Sequence, residues 1–413
     1  MEQLKVDFDK IIESLKLSDE NINSRRKNFN QFIENGFPNK RLEDWKFSDL
    51  NHIISSNIEN LHFYNDLKLP EIDEAIFIDK FPHNKIIFLN GVISKVDFSL
   101  EDDTKVLITR DLNKNVALKE VNPLVSLNNA LIASYIRVTV KENYSLNKPL
   151  IIYSITTKDL KSTAINLKTD IILEKNSSLK LINLLDDNSK NNFINTVQNF
   201  EIAQDAILKN YKIDYKKNSN IKYSYSNINL EKNSISENFI FSTGSKFLKN
   251  EINCNLNDEY SSAFINGIIN LTDSQHHEIK TNVNHLAENT KSYQLIKSVL
   301  NGNAKGIYQG KIYVDSKAQK TNGYQLSKAL LLSENTEFDG KPELEIYADD
   351  VKCSHGATSG NLDEDAIFYL MSRGLSNQQS KKLLINGFLL DAVEKITDIE
   401  IKDLIKNMIG ITE

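Results

Sequence analysis

The segments Leu173-Glu-Lys-Asn-Ser177, Ile202-Ala-Gln-Asp-Ala206 and Leu230-Glu-Lys-Asn-Ser234 share one pattern: an apolar residue, three mostly polar residues, and then a small one. The three copies begin 29 and 28 residues apart. Leu256 follows 26 residues later with an imperfect copy in which Tyr260 stands at the small position, and Leu300 and Leu332 begin further copies. A period of this size fits one coil of a β-solenoid, whose corners need small residues.

From about residue 85 to residue 358 the chain consists of short alternating runs rich in β-branched and aromatic residues, separated by polar turns. Examples are 86–89, 135–140, 150–155 and 221–230. No amphipathic helix of about ten or more residues interrupts these runs, which argues against a βαβ sheet. The residues by themselves favour a solenoid, with a β-sandwich or another two-sheet protein as the remaining alternative.

Helical patterns occupy both ends of the chain. Near the N-terminus, Ser18 can cap a helix from Asp19 to Asn35 that Gly36 ends. We therefore predict three parts: residues 1–84 as an N-terminal helical domain and connection, residues 85–360 as the β body, and residues 361–413 as a C-terminal helical domain.

The C-terminal part carries three helix-start signals. Asp363 can cap a helix that ends at Arg373-Gly374. Ser376-Asn-Gln-Gln379 has the form of a capping box that opens a second helix. Thr397-Asp-Ile-Glu400 has the same form and predicts a third helix, which stops at Gly410.

Composition narrows the function classes. The 413 residues are 40% hydrophobic and 26% charged, as in ordinary globular proteins. The formal net charge of −6 offers no basic field for nucleic acid, and no apolar run is long enough to cross a membrane. The chain has only two cysteines, Cys254 and Cys353, and its first residues lack a signal-peptide pattern, so we predict a cytoplasmic protein.

The segment Pro342-Glu-Leu-Glu-Ile-Tyr-Ala-Asp-Asp-Val-Lys-Cys-Ser-His-Gly-Ala-Thr-Ser-Gly360, followed by Leu362-Asp-Glu-Asp-Ala-Ile-Phe-Tyr-Leu-Met-Ser-Arg-Gly374, resembles the C-terminal signature of the SufB/SufD family. Gly36-Phe-Pro-Asn-Lys-Arg-Leu-Glu-Asp-Trp-Lys-Phe47 resembles the N-terminal motif of that family. The two motifs bracket nearly the whole chain. With Gly356 in place and few cysteines, the chain resembles the SufD branch more than the SufB branch.

The resemblance implies a right-handed parallel β-helix flanked by N-terminal and C-terminal α-helical domains. It also implies a non-ATPase scaffold subunit that forms a heterodimer with a SufB-like paralogue and binds a SufC-like ABC ATPase. Such a SufBCD-type complex assembles nascent iron–sulfur clusters and passes them to apoproteins. A homodimer in the absence of the paralogue stays open.

A strand over residues 351–355 would place Val351, Cys353 and His355 on one face. Thiolate and imidazole suit iron and iron–sulfur chemistry, but one Cys and one His cannot complete a tetrahedral set. A site for iron or a nascent cluster here must therefore share ligands with a partner subunit. A lone Cys or His is more often structural, yet the resemblance favours His355 as the cluster-assembly residue and leaves Cys353 as either a ligand or a support.

The resemblance also implies that the C-terminal helices contact the ATPase, with Phe368, Tyr369 and Arg373 as candidate contact residues. The alternative is that Phe368 and Tyr369 pack the helices against the β body. The segment Gly306-Ile-Tyr-Gln-Gly-Lys-Ile312 is one residue short of a phosphate-binding loop and lacks its Ser or Thr. We therefore expect this chain to bind no nucleotide and not to be an enzyme by itself.

Other chemistry-bearing residues have structural interpretations. His276, His277 and His285 lack a metal-site spacing and favour solvated or cross-strand roles. Cys254 is predicted to lie in the coil interior, and Trp45 is predicted to anchor the N-terminal domain by packing. Two other functions compete with the scaffold: a carbohydrate-active β-helix enzyme and an interaction solenoid without metal chemistry.

Overall fold

The computed structural model of the protein describes residues 2–64, 77–115 and 122–411. Its body is a parallel β-solenoid with helices at both ends. The strands are β1 (Asn84–Leu89), β2 (Val92–Asp97), β3 (Val106–Thr109), β4 (Tyr135–Val140), β5 (Leu150–Thr156), β6 (Ala164–Leu173), β7 (Ser178–Asp187), β8 (Phe193–Ile202), β9 (Ile207–Asp214), β10 (Ile221–Leu230), β11 (Ile235–Ser242), β12 (Phe247–Leu256), β13 (Ser262–Leu271), β14 (His276–His285), β15 (Lys291–Leu300), β16 (Lys305–Val314), β17 (Asn322–Leu331), β18 (Glu337–Ile346) and β19 (Lys352–Gly360).

From β4 onward, successive strands alternate between two sheets, so that one coil contributes one strand to each. The first sheet has the order β19-β17-β15-β13-β11-β9-β7-β5-β1-β2 and the second has the order β18-β16-β14-β12-β10-β8-β6-β4-β3. Within the solenoid the neighbours are parallel and in register, as in the series Phe193, Ile221 and Phe247. This arrangement confirms the solenoid and excludes the sandwich.

The repeated segments are the corners between the two sheets. Asn176 and Asn233 adopt left-handed backbone angles, with φ of 54° and 57°. The small residue that follows each of them, Ser177 or Ser234, is buried and donates its hydroxyl to a carbonyl three residues back at 2.6 Å. A larger side chain would not fit inside the corner, which is the physical reason for the repeat.

The imperfect copy near Leu256 follows the same rule with one extra residue. Tyr260 holds the left-handed position, with φ of 62°, and not the small position. The small residue is Ser261, which is fully buried and donates its hydroxyl to the carbonyl of Asp258 at 2.7 Å. The copy is therefore regular once the insertion is recognised.

The core has three main layers. Ile, Leu, Val and Ala side chains fill the interior between the sheets. The N-terminal helices cover part of the outer face of the second sheet, and the C-terminal helices cover part of the outer face of the first. The two helical ends thus pack on opposite sides of the solenoid.

The N-terminal helices are α1 (Glu2–Ser14), α2 (Asp19–Asn35) and α3 (Leu50–Asn57). Ser18 caps α2 and Gly36 ends it with φ of 68°, which confirms the predicted start and stop. A further helix, α4 (Pro123–Leu131), lies between β3 and β4 and was missed. Apart from Pro123, its residues are all buried, so it has no polar face from which a helical period could be recognised.

The C-terminal helices are α5 (Glu364–Ser372), α6 (Asn377–Val393) and α7 (Ile399–Ile409). The caps predicted at Asp363 and at Ser376–Gln379 are confirmed. The capping box predicted at Thr397 is wrong, because Asp398 caps α7 instead. Thr397 donates its hydroxyl to Glu237 of β11 at 2.9 Å, so a tertiary contact takes the side chain that the local pattern assigned to the cap.

The predicted boundaries at residues 84 and 360 fall beside β1 and at the end of β19. The division into three domains itself stays a prediction. Within residues 2–64, 77–115 and 122–411, no helix is both long enough and apolar enough to span a membrane.

Candidate functional site

Cys353 and His355 lie on β19, which forms one edge of the first sheet. Cys353 pairs in register with Gly323, and His355 pairs with Gln325, which is fully buried. Since residues in register point the same way, both candidate side chains lie on the face toward the solenoid interior. The structure therefore places the two residues together on the last coil, as the sequence predicted.

Cys353 is half-buried and packs against a small apolar cluster that includes Ile312. Gly323 leaves room for it, because a Cβ at that position would lie 3.3 Å from the Cys353 Sγ. Burial raises the pKa of the Cys353 thiol, and a hydrogen bond with the Gly323 backbone opposes the shift. The thiol is thus protonated near neutral pH and must lose its proton to bind a metal.

His355 is exposed. At the same position along the strand of the neighbouring coil, the interior contains hydrogen-bonded polar side chains. The Tyr308 hydroxyl donates to Gln325 Oε1 at 3.2 Å, and Gln325 Nε2 donates to the carbonyl of Glu343 at 3.1 Å. Gly310 makes space for this pair, because a Cβ there would lie 2.3 Å from Gln325 Oε1. The imidazole therefore lies one coil beyond a fixed, buried glutamine and stays available to solvent.

The described residues contain no group of three or more His, Cys, Asp or Glu side chains placed to hold a metal ion. Cys353 and His355 supply at most two donors from this chain. The role of these two residues in holding iron or a cluster stays a prediction.

Phe368 and Tyr369 lie on α5 with 74% and 56% of their surface exposed. The guanidinium of Arg373 lies 5.3 Å from the centre of the Tyr369 ring and donates to its hydroxyl at 3.2 Å. Ile367 is the buried residue of this helix. The described chain thus leaves both aromatic rings uncovered, which contradicts the alternative that they pack the helix against the solenoid.

His277 and His285 are fully buried, so a solvated role is wrong for these two residues. His276 is partly buried and its ring packs against that of Phe247 on the neighbouring coil, with centroids 5.0 Å apart. Burial lowers the pKa of His276 to about 3 and that of His285 to about 4, and it lowers the pKa of His277 as well. The imidazole of His285 hydrogen-bonds to Thr290 and Ser292 at 2.7 and 2.8 Å. These rings are neutral structural groups.

Sequence reasoning missed the buried charges that hold the N-terminal motif. Lys249 and Glu278 form an ion pair of 2.6 Å with neither side chain exposed. The Trp45 ring lies 4.2 Å from the Lys249 ammonium, and Lys280 bridges Asp44 and Glu251 at 2.8 and 2.9 Å. Trp45 is buried, as predicted, but it anchors the N-terminal part over charged groups as well as apolar ones. The sequence signal for these buried charges was the acidic pair that precedes Trp45. Lys280, the partner of Asp44, comes close to it only when the chain has folded.

Two other predictions concern residues of the β body. Cys254 is fully buried in the coil interior, as expected, and burial raises the pKa of its thiol to about 12. The segment 306–312 lies within the regular strand β16 and forms no loop.

Comparison with known proteins places these features in a family. Residues 154–388 match the family described as the SufBD core domain of SUF-system FeS cluster assembly. The SufD iron–sulfur cluster assembly protein of Escherichia coli is 25% identical over 92% of this chain and 90% of its own length. A SufBD family protein of Synechocystis is 25% identical over 87% of this chain and 84% of its own. The chloroplast protein ABCI7 of Arabidopsis thaliana is 23% identical over 90% of this chain and 82% of its own.

The family match covers more than half of the chain and includes most of the solenoid, its last coil and part of the C-terminal helices. The chain therefore belongs to the SufBD family and is an iron–sulfur cluster assembly protein of the SUF system.

Proposed function

We propose that this chain is the accessory, non-ATPase scaffold subunit of a SufBCD-type complex. In this proposal it pairs with a SufB-like paralogue, binds a SufC-like ABC ATPase, and helps to build nascent iron–sulfur clusters that pass to apoproteins. The cluster is cargo that this chain holds together with its partner.

The observation that carries the proposal is the open last coil. Cys353 and His355 face the solenoid interior at a sheet edge, and the described residues bring no third donor beside them. β19 is also a terminal strand with one free hydrogen-bonding side, on which another chain can add a strand. A partner that docked at this edge would pair with the free side of β19 and would add the ligands that Cys353 and His355 lack.

The proposed roles of the two residues separate in a complementation test. His355→Ala removes a group that can bind iron or move a proton, so cluster maturation in a deletion strain should fail while the complex still forms. Cys353→Ser should be as severe if the thiol is a ligand and milder if it is a support. Asn361→Ala, beyond the end of β19, serves as the control. Full complementation by His355→Ala would contradict the assignment.

We propose α5 as part of the ATPase contact. Exposed aromatic rings and arginine are residue types that protein interfaces favour, and α5 with its C-terminal Arg373 carries Phe368 and Tyr369 exposed, with Arg373 against Tyr369. Phe368→Ser should weaken capture of the SufC-like ATPase without loss of the β-sheet circular-dichroism signal. Lys381→Ser, on an exposed part of α6, is the matched control. Unchanged capture by Phe368→Ser together with Tyr369→Ser would reject this surface.

A homodimer that uses the same open edge is the second candidate assembly, because an unpaired strand can also add to its own copy. Mass measurement of the chain alone and after co-expression with the paralogue and the ATPase distinguishes the two. We expect the paralogue to displace the second copy. A chain that stays homodimeric in the presence of both partners would count against the proposed complex.

Both cysteines are free thiols, which supports a reducing compartment such as the cytoplasm. We propose that nucleotide enters only through the ATPase partner and that this chain needs neither nucleic acid nor a membrane. ATP turnover by the purified chain, abolished by a substitution in it, would contradict this part.

A further inference from the structure

A cavity of about 540 Å³ lies between the outer face of the first sheet and the turn that joins α6 to α7. Five aromatic side chains from successive coils line it: Tyr211, Phe239, Phe264, Tyr293 and Tyr324. The Tyr293 and Tyr324 rings are stacked, with centroids 5.1 Å apart and planes at 17°. A volume of this size and a lining of this kind are typical of sites for small molecules.

Among the polar residues of the lining, one buried amide lies between apolar neighbours. Asn266 lines the cavity, with Phe239 and Leu295 as its register neighbours on either side. It is 94% buried, since only 6% of its surface is exposed, and its Oδ1 has no hydrogen-bond partner in the described chain. An unpaired buried amide costs about 1–3 kcal/mol. Rotation of the amide can turn either its oxygen or its nitrogen toward a ligand.

The rim of the cavity is positively charged. Lys291 and Lys395 line it, and neither forms an ion pair with a carboxylate of the described residues. The Lys395 ammonium lies 5.6 Å from the centre of the Tyr293 ring. Glu237, the acidic residue of the lining, is already paired with Lys209 at 3.6 Å. The charge left over favours an anionic ligand.

The roof of the cavity is held in place by hydrogen bonds. Thr397 donates to Glu237 at 2.9 Å and accepts from Lys209 Nζ at 2.6 Å. The neighbouring Ile396 is buried against the sheet. A fixed roof lowers the entropy cost of binding, because little of the wall must be ordered when a ligand enters.

We propose that this cavity binds a small aromatic acid, meaning a planar ring with a hydrogen-bonding group on one edge and a carboxylate on the other. The ring packs against Tyr293 and the other aromatic side chains, the ring N–H or O–H meets the Asn266 amide, and the carboxylate meets Lys291 and Lys395. The site lies on the outer face of the sheet, whereas Cys353 and His355 face its interior. It does not depend on the proposed function.

Ligand-observed saturation-transfer NMR on the full chain tests the proposal with three probes. Indole-3-acetate carries the ring, the N–H and the charge; 1-naphthaleneacetate lacks the N–H; cyclohexylacetate lacks the aromatic ring. We expect indole-3-acetate to bind best, and we expect its advantage over 1-naphthaleneacetate to be up to about tenfold, the value of one hydrogen bond.

Two variants assign that binding to the cavity. Asn266→Leu places an apolar residue between apolar neighbours, so it should fold and should lose the preference for indole over naphthalene. Lys291→Gln with Lys395→Gln should weaken the binding of both aromatic acids, whereas Lys5→Gln, on α1 over the outer face of the other sheet, should not. Absence of binding would overturn the proposal. So would equal binding of all three probes, or unchanged binding in both cavity variants.

Discussion

The two cysteines of this chain occupy comparable positions in different coils. Cys254 lies on β12 in the middle of the second sheet, and Cys353 lies on β19 at the edge of the first. Both face the solenoid interior, yet Cys254 is fully buried and Cys353 is half-buried. The difference comes from the coils that cover each residue, because Cys254 has a coil on both sides and Cys353 has one.

Two histidines show the same difference between a middle coil and the last coil. His285 is fully buried on β14 and hydrogen-bonded within the coil, whereas His355 is exposed on β19. In a solenoid, the position along the axis therefore decides whether a side chain is available for chemistry. The same residue type is structural in a middle coil and accessible in the last one.

The largest expected effect on the free energy of unfolding comes from an ion pair that is buried in the middle coils. Glu278→Ala leaves the Lys249 ammonium buried without its carboxylate, which should lower the free energy of unfolding by about 3–5 kcal/mol. Glu343→Ala on β18 is the matched control: its side chain is 47% exposed, so loss of its pair with Lys341 should cost about 0–1 kcal/mol. Urea denaturation followed by circular dichroism measures both. Similar losses in the two variants would break the comparison.

The second prediction concerns acid stability. Burial lowers the pKa of His285 to about 4 in the folded chain, whereas the usual pKa of a histidine is 6.5. Between these two pH values the unfolded chain therefore binds a proton at His285 that the folded chain does not bind. Stability should therefore fall as the pH drops from 6.5 toward 4, by up to about 3 kcal/mol for this residue. His285→Asn should flatten that part of the pH profile. His52→Asn, at an exposed residue of α3, should leave it unchanged, and a parallel response of the two would reject the assignment.

The third prediction compares the two thiols directly. Iodoacetamide should modify Cys353 in the native chain at least about a hundredfold faster than Cys254, because the reagent can reach Cys254 only after local unfolding. Because the pKa of Cys353 is raised, its rate should increase about tenfold between pH 7 and pH 8. Mass spectrometry of peptides after timed quenching gives both rates. Comparable modification of the two residues at pH 7 would show that the middle coils open freely.

The smallest effect is expected at His355. Its side chain is exposed, so His355→Ala should change the free energy of unfolding by less than about 0.5 kcal/mol. The same urea titration checks this value, with the unsubstituted chain as reference. A loss above about 1 kcal/mol would mean that the imidazole supports the last coil, and a failed complementation could then no longer be assigned to chemistry.

The regular parts of the fold could be predicted because their signals are local. The pattern of an apolar, three mostly polar and one small residue marks the corners at 173–177, 202–206 and 230–234, and Asp363 and Ser376 mark helix starts within a few residues of sequence. Thr397 had the same local signal and failed, because Glu237 and Lys209 lie within its reach only after the C-terminal helices pack on the sheet. Tyr260 was misaligned because one inserted residue shifted the corner.

The candidate site could be predicted in part. Alternation along a strand places Cys353 and His355 on one face, and the motif around them resembles a known family. The fully buried Gln325 beside His355 and the free amide of Asn266 were not predictable, because their environment comes from residues one coil away. Coil lengths vary from one turn to the next, so a register cannot be counted reliably from the sequence.

The sequence by itself determined the period, the two helical ends and the residue types at the edge of the body, since these depend on neighbours within a few positions. Only the tertiary structure decided which charges are buried and which histidines are covered. It also decided that a cavity with an unpaired amide lies under the α6–α7 turn. The physical reason is that burial and electrostatic pairing depend on distances in space, which stacking of coils fixes only after the chain has folded.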